Sequence, residues 1–186
     1  MHPYEVAQTL RSRGKHQSIR VNFGSLYSVV EGLEKRRLVT AVETTRQGNR
    51  PERTVYAITD AGRRELVDWL TEMVATPEKE YPRFEAALSL LPSLAPDDAL
   101  AALQHRANAL ELELNGVRAG LRTMADMGLP RLFGIEEEFR VALLVAEIQY
   151  VRALVADLEQ GDLEGLKEWQ SWYETGTKPP SWEAPS

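Results

Sequence analysis

Arg46, Arg50 and Arg53 stand close together around Gly48, Asn49 and Pro51. Guanidinium groups present forked donors that match phosphate oxygens, so three of them on a turn-forming tip suit the backbone or the minor groove of a nucleic acid. Upstream, in "GSLYSVVEGLEKRRLV" (24–39), Ser25, Tyr27 and Ser28 place three hydroxyls at the start of an apolar run that closes on Lys35, Arg36 and Arg37. Hydroxyls near a helix N-terminus donate readily to phosphates and reach base edges. Cations at a helix C-terminus have a second explanation, because they complement the helix dipole without any ligand. The expected nucleic-acid contacts are therefore Ser25, Tyr27, Ser28, Lys35, Arg36, Arg46, Asn49, Arg50 and Arg53, with Lys15 and Arg20 of the same kind in the preceding loop. The plainer reading is that Ser25 caps its helix and Tyr27 packs against the segment carrying the arginines.

Other chemistries find little support. The chain has no cysteine, which removes disulfides, thiolate metal sites and thiol nucleophiles. His2, His16 and His105 are dispersed and no pair has metal-ligand spacing, so no metal is expected. Glu136, Glu137 and Glu138 fall at a predicted helix start, where the dipole accounts for them without acid–base work. No nucleophile elbow, phosphate loop or dinucleotide fingerprint is present, and neither catalytic residues nor a cofactor are expected.

The elements that must position these side chains follow from periodicity. Pro3 and "YEVAQTLRSR" predict a short helix ended by Gly14. Leu26, Val29, Val30 and Leu33 repeat at i, i+3, i+4, i+7, one apolar face opposite Ser25, Ser28, Glu31, Gly32 and Lys35. "LVTAVETT" and "RTVYAIT" are rich in β-branched residues and flank "RQGNRPE", which predicts a β-hairpin with a long basic tip. Thr59 then caps a helix running to about Ala75, with Leu66, Trp69, Leu70 and Met73 on one side. The order helix, helix, hairpin, helix is that of a winged helix-turn-helix, whose second helix enters the major groove and whose wing follows the backbone.

Pro77, Pro82, Pro92 and Pro96 then break the chain into a connector with a short helix. Beyond it, Leu100, Leu103, Ala107, Leu110, Leu114, Val117, Leu121 and Met124 make a heptad seam, "GLPRLFG" turns the chain back, and Val141, Leu144, Ile148, Val151, Val155 and Leu158 make a second. Phe139, Leu143, Ala146, Tyr150 and Ala153 form another stripe on this last helix, which therefore needs two partners: its antiparallel neighbour and a second copy of the chain. Leu103, Leu110, Leu114, Leu121, Leu144, Ile148, Val151 and Val155 are the expected dimerisation residues. The fold class is mainly α with a small β-hairpin wing: a winged helix-turn-helix over 1–76, a connector over 77–96, an antiparallel helical pair over 97–173, and a disordered tail over 174–186.

Charge agrees with two tasks. Residues 1–64 hold twelve Lys and Arg against six Asp and Glu, and residues 65–186 hold ten against twenty-two, although the net charge is −6. A basic part carrying an acidic remainder suits a polyanion binder with an assembly module. No apolar run is long enough for a membrane span and no secretion-signal pattern begins the sequence, so the expected location is the cytoplasm.

"GSLYSVVEGLEKRRLV", then "GNRPERTVYAITDAGRREL", then the helical pair resemble the PadR family of bacterial transcriptional regulators across nearly the whole chain. The resemblance rests on a G-S-L-Y helix start, an L-E-x-x-x-L-V exit, an R-x-x-Y-x-I-T wing return and a D-A-G-R helix entry in that order. It implies a homodimeric repressor on a pseudo-palindromic operator, released by a small, often aromatic ligand. It also permits an effector pocket using Trp69, Trp169 and Trp172. The family carries a further helix before the segment matching "HPYE"; its absence here implies a native start upstream of Met1, or else that Trp169 and Trp172 fold back over the gap. The alternative function is a winged-helix protein-interaction module without specific DNA binding.

Overall fold

The computed structural model of the protein describes residues 1–15, 22, 24–45 and 53–177, and the side chains of all of these except Thr45 and Arg53. The chain forms two compact units, Met1–Glu80 and Tyr81–Ser186. The first holds α1 (Pro3–Ser12), α2 (Leu26–Lys35), an antiparallel hairpin of β1 (Val39–Thr45) and β2 (Arg53–Ile58), and α3 (Asp60–Ala75). The second holds the short α4 (Arg83–Ser89), the long α5 (Pro96–Asp126) and α6 (Ile135–Gln160), and α7 (Leu166–Thr175). The architecture is thus mainly helical with a two-stranded wing, as the periodicities predict.

Local signals explain each boundary in the first unit. His2 caps α1: its Nδ1 accepts from the Tyr4 amide while Glu5 reaches back to the His2 amide, a reciprocal capping box ahead of Pro3. Gly14, at φ +71°, ends the helix. The helix α2 closes with Leu38 N–H donating to the Leu33 carbonyl and Arg37 N–H to that of Glu34, the paired bonds of a Schellman turn. That turn needs a left-handed residue, and Arg37 at φ 60° supplies it in a place that glycine usually takes.

One junction then ties three elements together. The Thr59 amide donates to the Leu38 carbonyl, and its hydroxyl donates to the Arg37 carbonyl at 2.8 Å. The same hydroxyl accepts the Gly62 amide at 3.0 Å, capping α3 as expected. Gly62 is buried so close to this point that a Cβ would lie 2.0 Å from the Leu38 carbonyl oxygen. Met1 extends the hairpin on its other side, exchanging backbone hydrogen bonds with Tyr56.

Apolar burial is thin in this unit. Leu26, Val30 and Leu33 are half-buried on the inner face of α2, but Val29, expected beside them, is 53% exposed. Val29 lies on the shoulder of the 100° helical wheel, off the inner arc that the other three share. Leu66, Trp69, Leu70 and Met73 form an exposed apolar stripe on α3.

The second unit is held by the α5–α6 hairpin. Leu103, Ala107, Val151 and Leu158 form one core with Ala99, and Leu114, Leu144 and Ile148 form another further along the same seam. Polar pairs flank it on both sides at heptad spacing: Gln104–Glu159 with Glu111–Arg152, and Arg106–Glu147 with Glu113–Arg140. Such partly exposed pairs contribute little stability, about 0–1 kcal/mol each, but they match only in the observed antiparallel register. At the hairpin's turn, Arg131 forks onto Glu138, which holds that carboxylate below its ordinary range through hydrogen bonding. The helix α7 folds back so that Leu166 and Trp169 enter the first core, and the Trp169 indole N–H donates to the Leu94 carbonyl at 2.9 Å. Residues 178–186, in the tail expected to lack structure, lie outside the described residues.

Gly62→Ala will force the Leu38 carbonyl and the start of α3 apart, and should destabilise the first unit by about 1–3 kcal/mol in chemical denaturation. Trp169→Phe removes the indole donor and some volume. It should cost the second unit about 1–3 kcal/mol, read in the same experiment, while leaving the first unit's transition unchanged.

Candidate nucleic-acid interface

The expected contact residues sort themselves around α2. A turn delivers the chain into this helix: the Asn22 side chain accepts from the Gly24 amide, and the Asn22 carbonyl accepts from the Ser25 amide and hydroxyl, both at 3.1 Å. Ser25 occupies the N-cap position yet makes no side-chain cap: its backbone is already helical (φ −97°, ψ −4°) where capping residues are extended, and its hydroxyl donates to the Asn22 carbonyl. The first amides of α2 therefore receive nothing from Ser25, the condition in which a helix N-terminus attracts an anion. Tyr27 is exposed and stands edge-on to the His2 ring, 6.1 Å between ring centres, beside the start of α1.

Ser28, Glu31 and Lys35 are exposed and lie along one outward strip of α2, opposite the inner face of Leu26, Val30 and Leu33. This strip offers a hydroxyl, a carboxylate and an ammonium in sequence, a set that can address donors and acceptors on base edges. Glu31 was not among the expected contacts, although its spacing of three from Ser28 and four from Lys35 marks it. Next to the strip, the Tyr56 phenol on β2 is pushed above its ordinary range by burial first and then by the charges of Glu34 and Glu31. The phenol therefore stays neutral and remains a hydrogen-bond donor.

Arg36 departs from expectation. Its guanidinium pairs with Glu65 of α3 at 2.9 Å, so its charge is directed at the protein. No sequence signal links two residues so far apart along the chain. Arg37 is exposed, with its backbone held in the left-handed turn. Arg46, Asn49 and Arg50, together with Arg20, lie outside the described residues; Arg53 begins β2, and its side chain lies outside them too.

The expected dimerisation residues have their places within one chain. Leu103, Leu110, Leu114, Leu121, Leu144, Ile148, Val151 and Val155 lie along the facing seams of α5 and α6 in one chain, most of them in its two cores, because the intrachain hairpin satisfies that seam first. What α6 leaves outside is its second stripe, with Phe139 65%, Leu143 55% and Tyr150 54% exposed. Trp169 is 4% exposed inside the second unit's core with its N–H satisfied, Trp172 packs beside it, and Trp69 belongs to α3 of the first unit. Trp169 accordingly has no open face for a ligand and is not available to cover another element. A cleft of about 800 Å³ does open between α4 and the α5–α6 pair, lined by Phe84, Leu88, Arg83, Arg106, Glu147 and Tyr150, with the Arg106 guanidinium 3.8 Å from the Phe84 ring centre.

Among the described residues no helix is long and apolar enough to cross a membrane, and no cluster of His, Asp or Glu could hold a metal ion.

Residues 1–68 match the model of the transcriptional regulator PadR-like family. No curated protein matches the chain. Among solved structures, the chain is similar to Bacillus subtilis PadR in complex with operator DNA, with a TM-score of 0.70 at 18% identity over 85% of this chain and 91% of that one. The same protein in complex with p-coumaric acid gives a TM-score of 0.70 at 15% identity, covering 86% and 90%. The PadR-like transcriptional regulator BC1756 from Bacillus cereus gives 0.60 at 15% identity, covering 87% and 91%. At these identities the solved structures speak for the fold, and the family model speaks for the sequence of the winged helix. The motifs of α2, β2 and the α3 entry, the geometry they build and the matched segment agree: over residues 1–68 this chain is similar to the PadR-like family of transcriptional regulators.

Proposed function

We propose that the protein is a cytoplasmic homodimeric repressor that binds a pseudo-palindromic operator and releases it when a small aromatic ligand binds. The observation that carries the DNA reading is α2 itself: an inner face packed on its own unit, an outward strip of Ser28, Glu31 and Lys35, and an N-terminus not capped by the Ser25 side chain. Helices presented this way enter the major groove with the N-terminal end leading. Ser25, Tyr27 and Ser28 would address bases or phosphates there, and Arg46, Asn49, Arg50 and Arg53 would track the backbone from the wing. Lys35 would add a phosphate contact, while Arg36 is the weakest of the set because Glu65 already holds it.

Dimerisation is supported by the outer stripe of α6. Phe139, Leu143 and Tyr150 leave apolar surface in water at a cost of roughly 25 cal/mol per Å², and the same stripe of a second copy is a self-complementary cover. A two-fold axis would then set two copies of α2 at half-sites about 34 Å apart or a multiple of it. Ligand release is proposed because a relative of the same fold was solved with p-coumaric acid. The cleft beside Phe84, Arg83 and Tyr150 offers aromatic walls and cations to such a molecule, whereas Trp169 is buried in its own unit's core.

Selection from random duplexes should return a two-fold symmetric site, and affinity for it should fall steeply with salt. Arg50→Ala and Arg53→Ala should each weaken binding to all sequences and flatten the salt dependence by about one phosphate contact. A slope unchanged in both variants removes the wing from the interface. Leu143→Glu should convert the dimer to monomer in light scattering while circular dichroism stays at wild-type helicity; a Leu143→Glu dimer would move the interface elsewhere.

A further inference from the structure

We infer that Thr59 is a positioning residue for DNA recognition: its side chain sets the exit of the recognition helix α2 against the return of the wing, and so the spacing between their two contacts on the duplex. The inference rests on the DNA reading above.

Thr59 follows β2 directly and precedes α3. Its hydroxyl donates to the Arg37 carbonyl at 2.8 Å, lies 3.2 Å from the Leu38 carbonyl, and accepts from the Gly62 amide at 3.0 Å. Its amide takes the Leu38 carbonyl at 3.0 Å. The segment it grips is the left-handed turn at Arg37, where a side-chain-bearing residue sits in a conformation that costs energy and persists only when its surroundings impose it. Leu38 is followed at once by β1, whose first residue, Val39, pairs with Ile58, the last of β2. The clasp therefore closes a small ring: α2 exit, start of β1, end of β2, Thr59, and back to the α2 exit. On one side of that ring the recognition helix leads toward base edges, and on the other the two strands lead out to the wing tip.

Two contacts joined by a rigid link reinforce each other only when the link matches their separation on the partner. Preorganisation of this kind favours the one duplex geometry in which both contacts fit, whereas non-specific binding, dominated by phosphate charge, tolerates a looser link. Threonine suits the role because one hydroxyl both donates and accepts. Valine keeps the shape and loses both bonds; aspartate keeps an acceptor for Gly62 and so keeps the α3 cap, but as a carboxylate has no proton for Arg37; serine keeps everything but the methyl.

The test is a ratio. Affinities of the full chain and of Thr59→Val, Thr59→Asp and Thr59→Ser are measured for a duplex selected by the wild-type chain and for a random-sequence duplex, with thermal unfolding of each variant recorded. The expected result is that the specific to non-specific ratio falls about tenfold in Thr59→Val and Thr59→Asp and is unchanged in Thr59→Ser, although Thr59→Asp unfolds near the wild-type temperature. A wild-type ratio in Thr59→Asp, or equal losses on both duplexes in Thr59→Val, would reduce Thr59 to an ordinary helix cap and overturn the inference. A wild-type chain that selects no preferred duplex would instead overturn the DNA reading, and the inference with it.

Discussion

The carbonyl oxygen of Leu38 receives a hydrogen bond from the Thr59 amide and lies against the bare Cα of Gly62, and much of the first unit is organised by that close approach. It explains why the entry to α3 reads Asp-Ala-Gly, since no side chain fits between the helix and the strand it crosses. It also explains how the turn at Arg37 survives in a residue that glycine would replace with less strain: the carbonyls it presents are both taken by Thr59. The unit has only Ala7, Pro3 and Gly62 buried among its described residues, so hydrogen bonds across this junction carry an unusual share of its order. In a larger core, dispersion and hydrophobic burial would hide the same bonds.

The second unit solves a different problem. Two long helices with two apolar stripes on one of them present more oily surface than a single hairpin can remove from water. The chain uses one stripe on itself, backs it with α7 through Leu166 and Trp169, and leaves the other along Phe139, Leu143 and Tyr150. The flanking ion pairs at heptad spacing align the hairpin; the seam supplies its stability. The two units therefore differ in kind, the first sparsely buried and basic, the second well packed and acidic, matching the charge asymmetry along the chain.

Much of the fold was legible beforehand. Pro3, Gly14, Thr59 and the spacing of Leu103, Ala107 and Leu114 each carry a local physical signal, and the helices and hairpin follow from them. The site was legible in its elements more than in its atoms. Ser25 has the residue type of a cap, but it folds with helical backbone angles and its hydroxyl turned to Asn22; Arg36 has the charge of a phosphate contact, but Glu65 holds it. Local patterns cannot report such competition, because the winning partner is chosen by distances that exist only after folding.

What the amino-acid order determined alone was periodicity, punctuation and charge: which segments are helical, where they stop, which faces are apolar, and that the basic residues gather toward one end. These properties act over a few neighbouring residues, where covalent geometry leaves few choices. The tertiary structure alone decided which of two apolar stripes on α6 is consumed within the chain, that Trp169 is core and no ligand wall, and that Thr59 reaches back to Arg37 and Leu38. Each of those outcomes depends on groups distant in sequence competing for one partner in space, and that competition is settled by packing and hydrogen-bond geometry.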